Sequence, residues 1–456
     1  MMQTRRALSV YLILNAALLA VGARRASAQD SIPWPAGNRL TVTVTAESAS
    51  VRGDTIRLWY TLSNSASSEQ AARHLAIRTF LTLYGMAGPP RWHTSPGMVQ
   101  DSSAALWTAL FSRPDVQPGQ SLTGFWFEGA GLPTIVSFRV QGRYESPAYN
   151  DSLPWLYKEA PSFWENSVGG FTVGLEPVPP NPDLGDQINR LRQLTTRACG
   201  ELGWISSSTL CTTLSNELAQ ATQASAQGDL ISARNQVNSF TADLRSQHNA
   251  NATLPVNHAA YALLVPSAQF VTKLLPIAIF LHGNGGTANP PTLSLSTTAP
   301  TATTESYKDS PSIAFSGGNT WKDVGTWQAP PAVANGTLST LADAHVWLGL
   351  KNSDDQGTNY DVRVEVAKNG TVITSAQALC VQGVVRPAAN AKEVVIPFGA
   401  FSATGFNGSS DVLTLKVSTR IGTNGSGALC GGHSNATGLR VYFDATTRSA
   451  RFDAKF

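Results

Sequence analysis

Two stretches of the sequence carry residue types that perform hydrolytic chemistry. His282-Gly283-Asn284-Gly285-Gly286 follows an apolar run, and a strand followed by such a glycine loop can present backbone N–H groups to an oxyanion. Ser434 is the candidate nucleophile, but a nucleophile elbow needs glycine where Ala436 stands. No histidine follows Ser434 to act as the base in the usual chain order. We therefore predict no catalytic residues and keep an extracellular hydrolase as an alternative.

One stretch resembles a metal-binding loop. Asn352-Ser353-Asp354-Asp355-Gln356-Gly357 has oxygen-bearing side chains at alternate positions and a glycine at the sixth, as the first half of a calcium loop does. Arg363 stands where the closing glutamate is needed, and a polar turn explains the same residues. The sequence contains no zinc-protease, P-loop or dinucleotide motif. We predict neither a metal nor another cofactor.

Tryptophan is the remaining chemical lead, because seven of the 11 tryptophans lie between residues 34 and 164. An exposed indole ring can stack on a sugar ring, whereas a buried one fills a hydrophobic core. The sequence leaves both roles open. The tentative ligand-stacking residues are Trp92, Trp107 and Trp126, and the possible partners are a glycan or an extracellular protein.

The charge balance excludes one class of partner. The chain has 33 Lys and Arg against 30 Asp and Glu, but four of the arginines and none of the acids lie in the first 28 residues. Without that segment the net charge falls from +3 to −1. Such a chain lacks the broad basic surface of a nucleic-acid-binding protein. We therefore predict no nucleic-acid partner.

Residues 1–28 have the pattern of a secretory signal peptide. Arg5 and Arg6 precede an apolar region from Ala7 to Val21, and Ala26-Ser27-Ala28 forms a small-residue cleavage site. An uncleaved anchor is the alternative. No later stretch reaches the ~18 apolar residues of a spanning helix. We predict cleavage near Ala28 and a mature chain without a membrane span, located outside the cell, in the periplasm or at the cell surface.

Four cysteines allow three disulfide pairings. Cys199 and Cys211 lie close together in a region of helical pattern, and Cys380 and Cys430 lie in a β-rich region far downstream. Because disulfides within one domain need no long-range assembly, locality favours Cys199–Cys211 and Cys380–Cys430. Such bonds agree with export into an oxidising compartment.

Residues 29–178 show the two-residue periodicity of β-strands. Leu40, Val42 and Val44 alternate with threonine, and a second apolar alternation begins at Ile56. Glycine- and proline-rich turns separate the predicted strands, with no helical pattern between them. Short strands at this spacing predict an antiparallel β-sandwich similar to immunoglobulin or fibronectin modules. A proline-rich linker follows at 179–184.

Residues 185–276 change to helical periodicity. Apolar residues recur at intervals of three and four, clearest in the third predicted helix with Leu230, Ala233, Val237, Phe240 and Leu244. Gly228 and Asp229 precede this helix as a stop and a start signal. A fourth helix is predicted from about Asn257 to Leu275, bent or split at Pro266. Four short helices on brief loops predict a small antiparallel bundle.

This helical region resembles a known family. The run Ala233-Arg234-Asn235-Gln236-Val237-Asn238-Ser239-Phe240, preceded by Gly228-Asp229, is similar to the FIMAH domain of secreted bacterial proteins. Gln187-Ile188-Asn189-Arg190-Leu191 and the stretch from Ala259 to Leu274 fit the same family. The resemblance covers residues 183–276, roughly a fifth of the chain. It implies export and a helical module that accompanies catalytic or adhesive domains, and it supplies no catalytic residues.

The rest of the chain completes the predicted organisation. Residues 277–305, rich in Thr, Ser, Pro and Gly, are predicted to form a linker, and 306–456 a second antiparallel β-sandwich. The fold class is then multidomain α+β, with two sandwiches separated by a small four-helix bundle. The predicted function is a non-catalytic, exported, modular binding or adhesion protein, of unknown oligomeric state. A carbohydrate-binding accessory protein is a further alternative.

Overall fold

The computed structural model describes residues 34–52, 55–99, 102–110, 115–144, 161–248 and 255–456. The predicted signal segment and its cleavage site near Ala28 lie outside these residues. The described chain is mostly β, with four helices and several sheets. It divides into two compact units. The first contains the nine N-terminal strands with Leu194–Cys211 and Leu244–Ser267. The second contains Pro182–Gln193, Thr212–Asp243 and Ala268–Phe456.

The strands of the first unit form two antiparallel sheets. They are β1 (Val42–Arg52), β2 (Thr55–Asn64), β3 (Ala72–Arg78), β4 (Gly85–Ala87), β5 (Trp92–Val99), β6 (Ser102–Ala109), β7 (Ser121–Ala130), β8 (Leu132–Gly142) and β9 (Val168–Glu176). One sheet has the order β1-β2-β7-β4 and the other β5-β6-β3-β8-β9. Alternate residues of β2 are buried, from Ile56 to Leu62, as the two-residue period predicts.

Aromatic side chains connect these two sheets. The Tyr60 hydroxyl on β2 donates a hydrogen bond of 2.8 Å to the Val173 carbonyl on β9. The Trp107 ring on β6 lies 5.7 Å from the Phe125 ring and 6.4 Å from the Phe127 ring, both on β7. Since these residues are fully buried, the two sheets share one aromatic core.

Four α-helices follow β9 in the sequence. They are α1 (Leu184–Cys199), α2 (Ser208–Ala226), α3 (Leu230–Ser246) and α4 (His258–Leu274). The predicted stripe of α3 is buried at Ala233, Val237, Phe240 and Leu244. Pro266 lies inside α4, which continues through it. In the described chain, no helix combines the length and apolar content that spanning a membrane requires.

The strands of the second unit form one large sheet and two short pairs. They are β10 (Ile277–Asn284), β11 (Thr292–Ser296), β12 (Ser306–Asp309), β13 (Ile313–Ala314), β14 (Lys322–Gln328), β15 (Gly336–Leu338), β16 (Thr340–Leu350), β17 (Tyr360–Lys368), β18 (Thr371–Val381), β19 (Lys392–Pro397), β20 (Thr404–Phe406), β21 (Leu413–Ile421), β22 (Asn435–Ala436), β23 (Leu439–Phe443) and β24 (Arg451–Lys455). The large sheet has the order β12-β23-β16-β24-β10-β11-β14-β21-β17-β18, with β19 paired to β16.

Strands from distant parts of this sheet contribute to one hydrophobic cluster. Val364 on β17, Leu415 on β21 and Val441 on β23 are fully buried in it. The Trp327 ring on β14 lies 5.5 Å from the Phe443 ring on β23. Because strands far apart in the sheet order share these contacts, the sheet curves around its own core.

The segment 277–305, predicted as a linker, instead contains two strands of this sheet. β10 pairs with β24 through Ile277↔Ala454, and it also pairs with β11. Ile279 and Leu281 are fully buried. The prediction was wrong here because the composition of the whole segment outweighed two local patterns, the apolar run of Ile277 to Leu281 that forms β10 and the alternation of Thr292 to Ser296 that forms β11. The other predicted boundaries stay predictions.

Both cysteine pairs favoured by locality are bonded. The Cα atoms of Cys199 and Cys211 lie 5.9 Å apart, and those of Cys380 and Cys430 lie 6.0 Å apart. The first bond joins the end of α1 to the first turn of α2. The second joins the end of β18 to the loop after β21, across 50 residues of sequence.

Asp229 should stabilise the start of α3. Its Oδ1 accepts the backbone N–H of Ser232 at 3.0 Å, which satisfies one of the free donors of the first turn. We expect Asp229→Ala to lower the free energy of unfolding by about 1 kcal/mol, measured by urea titration. Asp229→Ser keeps an acceptor and serves as the control. Equal losses for both variants would contradict the capping role.

Glu217 should make stability depend on pH. Burial and, next, the charge of Asp243 raise the pKa of Glu217 from 4.5 to about 7. The folded chain therefore holds this proton more tightly than the unfolded chain, and stability falls as the pH rises from about 4.5 to 7. Glu217→Gln should match the unsubstituted chain at pH ~4 and exceed it by roughly 1 kcal/mol at pH ~8, after allowance for solvent screening.

Urea midpoints across this pH range test the prediction. Glu201→Gln is the control, because hydrogen bonding to Arg197 lowers the pKa of Glu201. That variant should lose stability at high pH instead of gaining it. A difference between the Glu217→Gln variant and the unsubstituted chain that stays constant with pH would refute the assignment.

Candidate functional site

An open cleft of about 840 Å³ lies in the second unit. Strands β12 and β23 form one wall, and the loop that carries Val385 to Asn390 forms another. The short 3-10 helix Ser353–Asp355 contributes Ser353 to the rim. The lining combines aromatic rings, guanidinium groups and neutral polar side chains, which together can hold a polar ligand.

The register of β12 and β23 determines which side chains meet in the cleft. The strands are antiparallel, with Tyr307 opposite Tyr442 and Asp309 opposite Arg440. Side chains two residues apart share one face of a strand, so all four of these residues lie on the same face of the pair. The Tyr307 and Tyr442 rings are 6.3 Å apart in an edge-to-face arrangement.

Arg440 is held from two directions. Its Nε donates to Asp309 Oδ1 at 2.8 Å and its Nη2 donates to Asp309 Oδ2 at 3.0 Å. Its Cζ lies 3.5 Å from the centroid of the Tyr307 ring. Burial alone lowers the pKa of Arg440, but the hydrogen bonds and charge of Asp309 outweigh burial and the pKa is raised. Arg440 therefore stays charged and keeps the Tyr307 ring in place.

Tyr442 connects the strand wall to the loop wall. Its hydroxyl donates to the carbonyl of Arg386 at 3.0 Å. Burial raises the pKa of the Tyr442 phenol, so the hydroxyl keeps its proton at neutral pH. Gly349 lies in the next strand, β16, where a Cβ atom would approach Cε2 of Tyr442 to 2.5 Å. The absence of a side chain at Gly349 therefore makes room for the Tyr442 ring.

A second ion pair fixes the far side of the loop. Arg448 Nη1 donates to Glu305 Oε1, and Arg448 Nη2 donates to the Ala389 carbonyl at 3.1 Å. Both charged side chains are mostly buried. The carboxylate of Glu305, which lines the cleft, is therefore already occupied by a cation.

Arg386 differs from the other two arginines at the cleft. Its side chain is exposed, and Nη1 lies 3.4 Å from the Ser353 hydroxyl. In the part of the chain that the structure describes, no carboxylate lies within ion-pair distance of it. Gln356 and Asn390 are exposed on the same lining. The cleft thus offers one free guanidinium beside neutral hydrogen-bonding groups.

The three tryptophans predicted to stack on a ligand differ in exposure. Trp92 is 6% exposed and Trp107 is fully buried. The Trp92 ring packs edge-on against Phe125 at 4.9 Å, and Trp107 Nε1 donates to the Ala87 carbonyl at 2.9 Å. These two rings belong to the core between the sheets and offer no face to a ligand. Their exposure could not be predicted, because alternation does not tell which face of a strand is buried.

Trp126 is half-exposed, and one side of its ring is covered. Arg57 Cζ lies 4.1 Å from the Trp126 ring centroid, and Arg57 Nε donates to Glu128 Oε2 at 2.7 Å. Trp126 and Glu128 are both on β7, and Arg57 is on the neighbouring β2. A ligand could reach only the part of Trp126 that this arginine leaves free.

The glycine loop at His282 forms internal hydrogen bonds. His282 Nδ1 lies 2.6 Å from Asp444 Oδ1, and Nε2 lies 3.1 Å from the Thr298 carbonyl. The backbone N–H of Gly283 donates to Asp444 Oδ2 at 2.9 Å. Both imidazole nitrogens therefore face protein oxygens, and a substrate would have to displace the Thr298 carbonyl to reach Nε2. Ser434 is exposed, and its carbonyl accepts the N–H of Phe315.

In the calcium-like stretch, side-chain oxygens of Asn352 and Asp355 accept hydrogen bonds from backbone N–H groups. Asp355 is buried, and its Oδ1 accepts the backbone N–H of Thr437 at 3.0 Å. The side chain of Asn352 accepts the N–H of Asp354 at 3.4 Å. Among the described residues, no group of three or more His, Cys, Asp or Glu side chains is placed to hold a metal ion.

The sequence analysis did not identify Tyr307, Arg386, Arg440 or Tyr442. Arg440 and Asp309 are 131 residues apart, and only the strand register brings them together. The sequence gives one local indication of the site. Each of the two strands has an aromatic and a charged residue two positions apart, Tyr307 and Asp309 on β12 and Arg440 and Tyr442 on β23.

Comparisons with known proteins give no family. No family model matches the sequence, and no curated protein matches it. A CocE/NonD family hydrolase from Staphylococcus aureus is 9% identical with a TM-score of 0.23, covering 39% of this chain and 36% of its own. This chain thus spans about a third of the length of that hydrolase. An uncharacterized protein from Nocardia farcinica with an immunoglobulin-like fold is 18% identical with a TM-score of 0.19, covering 30% of this chain and 98% of its own.

The infectious bursal disease virus Gt strain structure is 12% identical with a TM-score of 0.17, covering 38% of this chain and 42% of its own. With TM-scores this low, none of these likenesses indicates a function. They do not bear on the FIMAH resemblance, which stays a prediction.

Gly349 should be needed for the strand wall of the cleft. In Gly349→Ala the new methyl group would collide with the buried Tyr442 ring, and overpacking of this kind costs about 1–3 kcal/mol. Urea unfolding should show this loss. Gly399→Ala is the matched control, because nothing lies within 4 Å of a Cβ there. Equal stabilities of the two variants would contradict the close approach.

Proposed function

We propose that this chain is an exported, non-catalytic, modular protein that binds an extracellular polymer, and that the cleft at Tyr307 and Arg440 is its binding site. The observation that carries the proposal is the combination of a half-exposed aromatic ring with polar side chains in one open cleft. Sugars present both apolar C–H faces and hydroxyl groups, so a ring and hydrogen-bonding groups suit them.

The proposal includes the predicted modular organisation: two β-sandwiches, the second beginning at β10, and a FIMAH-like helical bundle between them. Its support is the aromatic core shared by the two N-terminal sheets, the curved C-terminal sheet and the buried helical stripes. Export with cleavage near Ala28 is part of the same proposal. The two disulfides support a compartment outside the cytoplasm.

Binding is favoured over hydrolysis by the state of the candidate groups. Glu305, which lines the cleft, pairs with Arg448. His282 does not line the cleft, and its Nε2, the nitrogen that an Asp-oriented histidine offers to a substrate, faces the Thr298 carbonyl. A general acid or base must be free to exchange a proton with a substrate.

A glycan is favoured over a protein partner because the cleft is open and places one half-exposed ring among hydrogen-bonding side chains, beside the apolar residues Leu350 and Val385. Protein interfaces concentrate their affinity in buried apolar or aromatic anchors. Here Tyr442 is buried and Tyr307 is stacked by Arg440, so the lining offers hydrogen-bonding groups around a single ring. Such a lining fits a chain of sugar units that lies across the surface.

A polysaccharide binding screen tests the proposal. The chain beginning at Gln29 would be titrated against neutral and acidic polysaccharides and extracellular matrix proteins, with affinity measured by calorimetry. We expect binding to at least one polysaccharide. Tyr307→Ala should weaken it by at least tenfold, about 1.4 kcal/mol, because it removes the part of the ring that Arg440 leaves uncovered and that lines the cleft.

Tyr84→Ala is the matched control, since Tyr84 is 64% exposed, directly precedes β4 and lies outside the cleft. It should bind as the unsubstituted chain does. Binding to matrix proteins alone would overturn the glycan assignment. Hydrolysis of a generic ester that is lost in Ser434→Ala would overturn the non-catalytic assignment.

A further inference from the structure

The cleft contains an excess of one positive charge. Two guanidinium groups line it, those of Arg386 and Arg440, and a third, that of Arg448, pairs with the lining residue Glu305. Asp309 neutralises Arg440 and Glu305 neutralises Arg448, and both of these pairs are mostly buried. Arg386 is left as the exposed cation of the cleft, with a hydroxyl group as its neighbour in place of a carboxylate.

The backbone that carries Arg386 is fixed on both sides. Its own carbonyl accepts the Tyr442 hydroxyl at 3.0 Å, and the neighbouring Val385 carbonyl accepts the N–H of Leu350 at 3.2 Å. Pro387 follows and restricts the backbone further. Because the backbone is already fixed, only the side chain of Arg386 has to be ordered when a ligand binds, which limits the entropic cost of binding.

The side chain of Arg386, in contrast, can change partner. Its contact with the Ser353 hydroxyl is 3.4 Å long, beyond the usual length of a strong hydrogen bond. A guanidinium carries five N–H donors in a planar fork that matches two oxygens of an oxyanion. An anionic ligand would therefore replace a weak contact with a charge-assisted one.

We infer that the cleft selects acidic polysaccharides, and that Arg386 recognises the carboxylate or sulfate group of one sugar unit. This inference rests on the proposed glycan-binding function. The neutral side chains of Gln356, Asn390 and Ser353 beside Arg386 bond to hydroxyl groups of the same or the adjoining unit. The shared chemistry of the ligand is a sugar ring that carries an oxyanion.

The test compares polymers that differ only in charge. Polygalacturonate is paired with its methyl ester, and dextran sulfate is paired with dextran. The full chain beginning at Gln29 is titrated with each. We expect at least tenfold tighter binding to the acidic member of one pair, and the pair that shows it identifies carboxylate or sulfate. That preference should weaken with added NaCl, because salt screens an exposed charge.

Two variants assign the preference to Arg386. Arg386→Gln should reduce the acidic-to-neutral preference to within twofold while retaining binding to the neutral polymer. Arg245→Gln is the control, since Arg245 is exposed on α3 and outside the cleft, and it should leave the preference unchanged. Circular dichroism and the urea midpoint establish that both variants are folded.

The outcomes separate the two proposals. Equal binding to acidic and neutral members, lost in Tyr307→Ala, would overturn the anion inference and support the glycan function. A preference that persists in Arg386→Gln would overturn the assignment to Arg386. Absence of binding to every polymer in this test and in the wider screen would overturn both proposals.

Discussion

The antiparallel pairing of β12 with β23 is the constraint on which the cleft depends. Their register places Tyr307 opposite Tyr442 and Asp309 opposite Arg440, on one face of the pair. A slip of one residue would turn every side chain of one strand to the opposite face, because side chains alternate along a strand. Gly349 on β16 supports the same register by leaving space for the Tyr442 ring. The pairing of β12 with β23 therefore determines the strand wall of the cleft, and the loop of residues 385–390 adds the second wall.

Charge pairing explains why the wall is rigid. Asp309 and Glu305 each hold a guanidinium whose side chain is only 17% exposed. Loss of one partner would leave a partly desolvated charge, which costs more than the pair itself contributes to stability. The two pairs therefore hold the strands and the loop in a single arrangement. Arg386 carries the same chemical group on the solvent side, where it retains the freedom to exchange partners.

Much of the chain's local structure follows from its sequence. The stripe through Val237 and Phe240 predicts a buried helix face, and the short separation of Cys199 from Cys211 predicts their bond. Prediction fails where the composition of a segment hides a local pattern, as in residues 277–305, whose overall composition indicates a linker although Ile277–Asn284 and Thr292–Ser296 form strands. It also fails for the cleft, because Asp309 and Arg440 meet only through pairing between distant strands. The burial of Trp107 could not be predicted for the same reason, because the residues that cover it, Phe125 and Phe127, lie on a strand of the other sheet.

The Cys380–Cys430 bond lies at the edge of the large sheet. β18 is the last strand in the order of the large sheet, and it exposes Val372 and Leu379. A terminal strand of this kind offers its unpaired backbone groups as a template for another copy. The bond ties the end of β18 to the loop after β21 and so limits fraying of that strand. In a reducing compartment this tie would be absent, and β18 would be held in the sheet by its pairing with β17.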